Sequence, residues 1–322
     1  MVFVMPFVSI AIGLLVGLKI KGEKFLKIVD INSNIVLIVL MITIGSNIGV
    51  NDSLMKSLGQ IGINCFLICI FAIGFSIIAI FSLEKSVKLL DNINIKTDDN
   101  QLEALENTTS ENENYKSPLV WTMPLGIVSG IAFGRFILPV EYAFLLDHVI
   151  RICLIIIYIC VGISLGNSKE TLKYMKQLGW KIMLVPAAIL FGSMLGGVIS
   201  GIVLGLPLKI TLISASGMSY YSVTGAYMSS TYGMGVGTYG FVVNVFREFL
   251  TVLCLPLIIR ISPGSAIASG GAGDMDTMLL PITKFVGRDL GLVTLFNGTV
   301  LTMIVPFLLP ILSGLLSLLN IN

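Results

Sequence analysis

Two aspartates, Asp274 and Asp276, lie close together in the stretch GGAGDMDTMLLPI at residues 270–282. Carboxyl groups at this spacing can bind a cation or exchange a proton. A charged carboxylate at the centre of a bilayer costs about 3 kcal/mol, and burial favours its neutral, protonated form. The two side chains therefore predict ligand binding or ion exchange if the chain around them crosses a membrane.

The composition predicts that it does. Of 322 residues, 55% are hydrophobic and only 12% are charged, with a mean hydropathy of +0.96. A soluble domain carries roughly 25% charged residues. We expect an all-α polytopic membrane protein whose surroundings are the lipid bilayer. Since a crossing helix needs about 20 apolar residues, eight spans are predicted, at 2–20, 31–50, 60–82, 119–139, 148–166, 181–205, 239–260 and 289–316.

Two further segments, 210–236 and 262–284, are mildly apolar but rich in Gly, Ser, Thr and Tyr. Lipid offers no partners for backbone groups that glycines free from a helix. Each segment is therefore expected to be a re-entrant hairpin or a broken helix facing a watery cavity, although a small-residue packing face is the alternative. The first segment would supply neutral hydrogen-bonding side chains, namely Ser214, Ser216, Ser219, Tyr220, Tyr221 and Ser222.

The span after the first polar segment carries Asn244, Arg247 and Glu248. Arg247 lies roughly 12 Å into that helix, and Asn244 shares a helix face with the other two because they follow it by three and four residues. A structural ion pair is one interpretation and ligand binding is the other. With Asp274 and Asp276, the embedded set holds three acids and one cation, so we expect it to favour a cationic ligand.

No other pattern in the chain indicates catalysis or metal binding. The five cysteines lie in apolar runs without a C-x-x-C pair, and His148 is the sole histidine. The run GVGTYG at 235–240 matches G-x-G-x-x-G, but no strand precedes it, and a tight link between hairpin and span explains it better. We expect no enzyme activity, no metal site and no nucleic-acid partner.

The chain contains two weak internal repeats. ITIGSNIGVNDSLMKSLGQIG around Gly45 resembles ICVGISLGNSKETLKYMKQLGW around Gly162, and the three spans between them invert the second copy. The run VFREFLTVLCLP is echoed by LFNGTVLTMIVP, with Phe246 matching Phe296; the second run also contains Asn297, the last of the candidate binding residues. Inverted repeats are typical of secondary transporters, whose sites lie near the midplane at broken helices.

We expect four parts: a first three-helix repeat (1–83), an acidic flexible loop (84–117), a second, inverted three-helix repeat (118–206), and a core region with both polar segments and two spans (207–322). With alternating spans, 15 lysines and arginines fall on one face and 4 on the other. Positive residues favour the cytoplasmic face. This predicts external N- and C-termini and a cytoplasmic 84–117 loop.

Three long segments resemble the signature segments of the lysine exporter LysO family: SASGMSYYSVTGAYMSS, NVFREFLTVLCLPLIIR and SGGAGDMDTMLLPI. The resemblance extends over essentially the whole chain. It implies a bacterial inner-membrane protein that exports L-lysine and protects against the toxic analogue thialysine. It also implies both termini outside, as the charge count predicts.

The resemblance assigns the family's essential intramembrane aspartate to Asp276, and Arg247 and Glu248 match the family's Arg-Glu pair. The sequence departs from the family at two points. Asp274 stands where a small hydroxyl residue is usual, and the run from Asp276 to Pro281 is one residue longer. The added acid could change the coupling ion or the substrate.

These observations predict a secondary transporter that exports L-lysine or a close cationic analogue by alternating access with proton antiport. The lysine ammonium would bind Asp276, assisted by Asp274, with Thr277 beside them. The substrate carboxylate would meet Arg247 or the hydroxyls and backbone N–H groups of the first polar segment. The expected coupling ion is a proton, with Na⁺ as the alternative, and no other cofactor is expected.

Two other functions stay open at this point. One is a Na⁺- or H⁺-coupled carrier of organic anions, in which Arg247 would bind the anion and the aspartates the ion. The other is a membrane scaffold or sensor without transport, which needs no polar cavity at the midplane. A homodimer is a further expectation, since small-x-x-x-small runs such as Gly126–Gly130–Gly134 allow close helix contacts between chains as well as within one.

Overall fold

The computed structural model describes residues 5–20, 23–87, 118–139, 143–167 and 180–319, and these residues are almost entirely helical. The predicted all-α class is confirmed. Short 3₁₀ turns lie at Trp180–Met183 and Gly271–Met275. The α-helices are α1 Met5–Lys19, α2 Glu23–Val50, α3 Asp52–Val87, α4 Pro118–Phe136, α5 Ala143–Asn167, α6 Leu184–Leu204, α7 Leu208–Ala215, α8 Tyr221–Tyr232, α9 Met234–Ile258, α10 Pro263–Gly270, α11 Leu279–Val286 and α12 Arg288–Leu318.

Six helices in the described part are long and apolar enough to cross a membrane: α2, α3, α5, α6, α9 and α12. Two shorter apolar stretches, Phe7–Lys19 and Leu125–Phe136, belong to the other two predicted spans. Large apolar side chains are exposed along these helices, such as Phe191 at 65% and Ile202 at 74%. A surface of this kind suits lipid, and the chain is a multi-pass membrane protein.

Helices of the two predicted repeats pair crosswise through glycines. The α1 and α5 helices run parallel, and a Cβ at Gly13 or Gly162 would lie 2.1–2.3 Å from a carbonyl oxygen of the opposite helix. The α2 and α4 helices do the same at Gly45 and Gly130. The two Gly-x-x-x-Gly copies found as repeats therefore serve the same purpose, which is close backbone contact with a glycine-rich partner helix.

The third helices of the two repeats, α3 and α6, pack against each other and run antiparallel. A Cβ at Gly192 would meet Phe75 O at 2.5 Å, and one at Gly196 would meet Phe71 O at 2.5 Å. The first helix of each repeat thus pairs with the second helix of the other, and the two third helices pair with each other. Two repeats related by a two-fold axis would give this pairing. We call the end of the bundle where α3 begins and α6 ends the first end, and the opposite one the second end.

The structure covers the predicted loop only in part. α3 continues through Val87, so residues 84–87 extend the helix. Residues 88–117 lie outside the described residues, as do residues 168–179 in the turn after Gly166.

The first polar segment is a re-entrant hairpin that enters at the first end. The α7 helix lies antiparallel to the end of α6, since Gly201 faces Thr211 and Ser193 faces Ala215. After a turn at residues 216–220, α8 returns to the first end alongside α9. The joint between α8 and α9 is Gly233, whose φ of +89° suits only glycine without strain.

The GVGTYG run is helical instead of forming the predicted link. It starts at Gly235, the second residue of α9. A Cβ at Gly237 would lie 1.8 Å from Ser229 Oγ, and one at Gly240 would lie 2.5 Å from Met228 Sδ. The glycines are there because α8 packs tightly against α9.

The second polar segment is a hairpin that enters at the second end. Gly264 N–H, at the start of α10, donates to the Glu84 carboxylate near the end of α3 at 2.9 Å. The chain turns back through Gly271–Met275, and α11 returns alongside α12, where Gly291 contacts Thr283. Gly287 forms this joint with the same φ of +89° as Gly233. The two segments are therefore hairpins, and neither is a full span.

We predict that Gly134→Ala destabilises the protein, because its Cβ would lie 2.1 Å from Ser46 O and would force α2 and α4 apart. Overpacking of this kind costs about 1–3 kcal/mol. Thermal unfolding in detergent measures the effect. Gly74→Ala is the matched control, since no atom lies within 4 Å of the added Cβ. Equal melting temperatures for the two variants would contradict the close contact.

Candidate functional site

The tips of the two hairpins meet in the middle of the bundle. Ala272 N–H in the second tip donates to Met218 O in the first at 2.7 Å. Met218 and Ser219 adopt left-handed backbone conformations, with φ of 47° and 76°, and Gly271 does so with φ of 64°. Such conformations in residues other than glycine cost of order 1–3 kcal/mol and occur where the surroundings impose them. The two polar segments, each predicted as a hairpin or a broken helix, thus contact each other through their tips.

Two asparagines occupy equivalent places and hold the two tips. Asn244 on α9 donates to Ser214 O at 2.9 Å and accepts from Ser219 N–H at 2.8 Å. Asn297 on α12 donates to Gly271 O at 3.3 Å and to the Asp274 carboxyl at 2.7 Å. The two spans therefore correspond through their asparagines, whereas the sequence echo matched Phe246 with Phe296.

Arg247 is fully buried and bonds only to protein groups. Its guanidinium donates to Ser269 O at 3.1 Å, Ala268 O at 2.9 Å and Ser193 Oγ at 2.7 Å, with a longer contact to Ser76 Oγ at 3.4 Å. The two carbonyls belong to the last turn of α10, which has no following turn to bond them. Arg247 therefore caps the second hairpin and ties it to α3 and α6.

This arrangement bears on the expected contact between Arg247 and a substrate carboxylate. Only 1% of Arg247 is exposed, so an anion cannot reach the guanidinium in this conformation. The alternative interpretation, a structural ion pair, does not hold for Arg247 either, because the guanidinium contacts no carboxylate among the described residues. Sequence reasoning did not identify Ser76 and Ser193; their one signal is a lone serine within a strongly apolar run.

Asp276 and Glu248 come together on the other side of α9. Asp276 is exposed, whereas Glu248 is 6% exposed and its Oε1 has no hydrogen-bond partner. The two carboxyls lie within electrostatic range of each other and of Tyr221, and Tyr220 lies within range of Asp276. Thr277 N–H donates to Asp276 Oδ1 at 2.5 Å, and its side chain lies beside Glu248.

Asp274 points away from this group, into the protein. It is 0% exposed, and its one hydrogen bond comes from Asn297. Asp274 lies within the 3₁₀ turn Gly271–Met275, whereas Asp276 directly follows that turn with φ of −134° and ψ of −86°. The two aspartates of the D-x-D run therefore lie in different surroundings.

The hydroxyl residues of the first hairpin divide into two groups. Ser214 and Ser216 are buried and bond within the hairpin, to Met228 Sδ at 3.5 Å and to Leu212 O at 2.7 Å. Ser222 is 2% exposed at the start of α8. Ser219 Oγ is buried without a partner. Tyr220 and Tyr221 of this predicted set lie within electrostatic range of Asp276.

A cavity of about 460 Å³ opens at the first end, beside the end of α8. Its lining includes Asn47, Asn51, Arg151, Ser229 and Gly233. The sequence did not predict it, because its walls come from four separate elements. It lies roughly 12 Å along α8 from Tyr221, at one end of the bundle.

We predict that Arg247→Lys lowers stability substantially, although the positive charge is kept. A lysine ammonium cannot reproduce the planar fork that reaches three elements, and each buried acceptor left without a donor costs about 1–3 kcal/mol. Thermal unfolding in detergent measures the loss. Arg151→Lys, at an exposed position, is the control and should unfold like the wild type. A stable Arg247→Lys variant would show that the guanidinium contacts contribute little.

Comparisons with known proteins agree with this architecture. The family model of the lysine exporter LysO matches residues 125–313, which include all the candidate site residues. "Lysine exporter LysO" of Escherichia coli (strain K12) is 31% identical over 161 residues, which are 50% of this chain and 54% of that protein. "Putative lysine exporter" of Haemophilus influenzae (strain ATCC 51907 / DSM 11121 / KW20 / Rd) is 29% identical over 161 residues, 50% of this chain and 82% of that protein.

The chain thus matches about half the length of the Escherichia coli relative. The family match is broader and covers more than half of this chain, from α4 to the last turns of α12. Both hairpins, both asparagines and the acidic pair lie within it. This chain belongs to the lysine exporter LysO family.

Proposed function

We propose that the protein is a secondary transporter that exports L-lysine, or a close cationic analogue such as thialysine, from the bacterial cytoplasm across the inner membrane. One observation carries the proposal. Asp276 in the second tip is exposed and lies within electrostatic range of the buried Glu248, and no lysine or arginine nitrogen among the described residues lies within 4.0 Å of either carboxyl of this acidic pair. Arg247, the arginine of the embedded set, donates its hydrogen bonds to Ser193, Ala268 and Ser269. The negative charge of the pair is therefore available to a cationic ligand.

In this proposal the lysine side-chain ammonium binds Asp276 and Glu248. An ammonium has three N–H donors, and Glu248 Oε1 has no partner of its own. The substrate carboxylate binds the hydroxyls of Tyr220 and Tyr221, which border the pair, and not Arg247. Hydroxyl donors suit the carboxylate without adding a fixed positive charge that would repel the ammonium.

Alternating access follows from the two hairpins, which enter from opposite ends and meet at the site. A transporter built from inverted repeats exposes its midplane site to one side and then to the other. By the positive-inside count, the first end is external, the second end is cytoplasmic, and both termini are external. Proton antiport would drive export, and Na⁺ remains the alternative coupling ion.

The organic-anion carrier needs an accessible cation, and Arg247 is 1% exposed and hydrogen-bonded to protein groups throughout. No observation favours that function over cation export. A scaffold or sensor without transport would have no use for exposed Asp276 between two hairpin tips. The family of transporters to which the chain belongs also gives no support to an enzyme.

We predict that Asp276→Asn reduces lysine accumulation by at least tenfold. The substitution keeps the side-chain size but removes the charge that binds the ammonium. The assay is radiolabelled L-lysine accumulation and counterflow in proteoliposomes under an imposed pH gradient. Asp52→Asn is the matched control, since Asp52 is exposed at the start of α3 and pairs with Arg135. If the wild type carries no lysine with either a proton or a sodium gradient, the substrate assignment is wrong.

We also predict that a cysteine in place of Thr277 reacts with a water-soluble thiol reagent and that lysine slows the reaction. The background should carry Cys254→Ala, because Cys254 is the half-buried one among the native cysteines, the others being buried. Ser222→Cys, at a position 2% exposed, is the unreactive control. Labelling that ignores lysine would place the substrate elsewhere, and no labelling at all would favour the scaffold.

A further inference from the structure

Asp274 and Asn297 are joined by one hydrogen bond, and each also has an oxygen that receives no hydrogen bond. Both side chains are 0% exposed. Asn297 Nδ2 donates to Asp274 Oδ2 at 2.7 Å, but Asp274 Oδ1 and Asn297 Oδ1 are both buried without any partner. Two unpaired acceptors in one buried pair are costly, since each forfeits about 1–3 kcal/mol. An ionised Asp274 offers no hydrogen to either of these two oxygens.

We propose that Asp274 and Asn297 form a buried proton site, in which Asp274 Oδ1 carries the proton and the Asn297 amide oxygen accepts it. A carboxylic acid and an amide can form two opposed hydrogen bonds, N–H to carboxyl oxygen and O–H to amide oxygen. The first of these bonds is present, and one proton completes the second. The proposal rests on the proposed lysine transport and identifies the group that carries its counter-ion.

The charges around Asp274 fit a site whose proton is released when a cation binds at Asp276. The charged groups that act on Asp274 are Arg247 on α9 and Asp276, two residues along its own turn. α10 contributes serines but no titratable side chain, and Lys284 on α11 is exposed. The negative charge of Asp276 opposes ionisation of Asp274, whereas Arg247 favours it. A cation bound at Asp276 removes the opposing charge.

Proton exchange follows from this coupling. When a lysine ammonium binds Asp276 and Glu248, the Asp274 O–H bond breaks, its electrons stay on Oδ1, and the proton leaves to water. Arg247 then compensates the carboxylate. When lysine has left, a proton from water bonds to Oδ1 again. One positive charge enters the centre as another leaves, so the net charge of the embedded groups is the same before and after the exchange.

A metal cation fits the pair less well. Oxygen-binding metal ions take about six ligands, whereas two unpaired oxygens need only one proton. Among the described residues, no group of three or more His, Cys, Asp or Glu side chains could hold a metal ion. The pair is also separate from the acidic pair, because Asp274 is fully buried and Asp276 is exposed.

Proton and lysine fluxes measured together in proteoliposomes test the proposal. We expect the wild type to move about one proton for each radiolabelled L-lysine. For Asp274→Asn we expect this ratio to fall close to zero, with gradient-driven accumulation reduced at least tenfold. Asp52→Asn is the control and should keep the wild-type ratio. An unchanged proton-to-lysine ratio and an unchanged pH profile in Asp274→Asn would overturn the proton site. So would a wild-type lysine flux that is driven by a sodium gradient and is no longer driven by it in the variant.

These outcomes are distinct from a failure of the proposed function, in which the wild type itself carries no lysine. Should Asp274→Asn not fold, infrared spectroscopy of the wild type gives an independent test. A neutral carboxylic acid shows a carbonyl stretch, and at a fully buried site this band should persist after brief transfer to D₂O and weaken when lysine is added. If no slowly exchanging carboxylic acid is found, Asp274 does not carry the proton.

Discussion

The whole site depends on a constraint set by the bilayer, which offers no hydrogen-bond partners to interrupted backbone. Two helical hairpins end in the middle of this protein, and each leaves N–H and C=O groups that a continuous helix would have used. Side chains from the two neighbouring spans, α9 and α12, supply the missing partners: Asn244 for the first tip, Asn297 for the second, and Arg247 for the last turn of α10. These polar residues are buried because the backbone needs them there.

The glycine pairs of the outer helices solve the complementary problem. Lipid-exposed helices gain no hydrophobic energy from association, so close packing has to hold them together. Gly45 against α4 and Gly162 against α1 bring backbones into contact, and large apolar side chains face outward. These glycine contacts stabilise the bundle, so the core can contain polar residues. Its charged groups are concentrated in a small volume between the tips.

Much of this could be predicted from the sequence, and the remainder has a physical reason for being hidden. Hydropathy gives the spans, and glycine and serine content marks the two hairpins, because these signals are local. The roles of Arg247 and Asp274 are not local. An arginine beside a glutamate suggests an ion pair, but the α10 carbonyls that Arg247 binds are about twenty residues away. Likewise, the D-x-D run suggests two cooperating acids. In the structure Asp274 is hydrogen-bonded to Asn297, whereas Asp276 lies within electrostatic range of Glu248.

The joints at Gly233 and Gly287 share one backbone conformation, with φ of +89° at both. Each joint is a single residue between two helices that pack against each other along their length. The returning helix of each hairpin therefore moves together with the span that follows it, and we call each such unit a piece. Where the two pieces meet at their tips, the main-chain bond from Ala272 to Met218 joins them directly. A sliding motion between the pieces would therefore concentrate its backbone rearrangement at this bond, beside the residues that would hold the substrate.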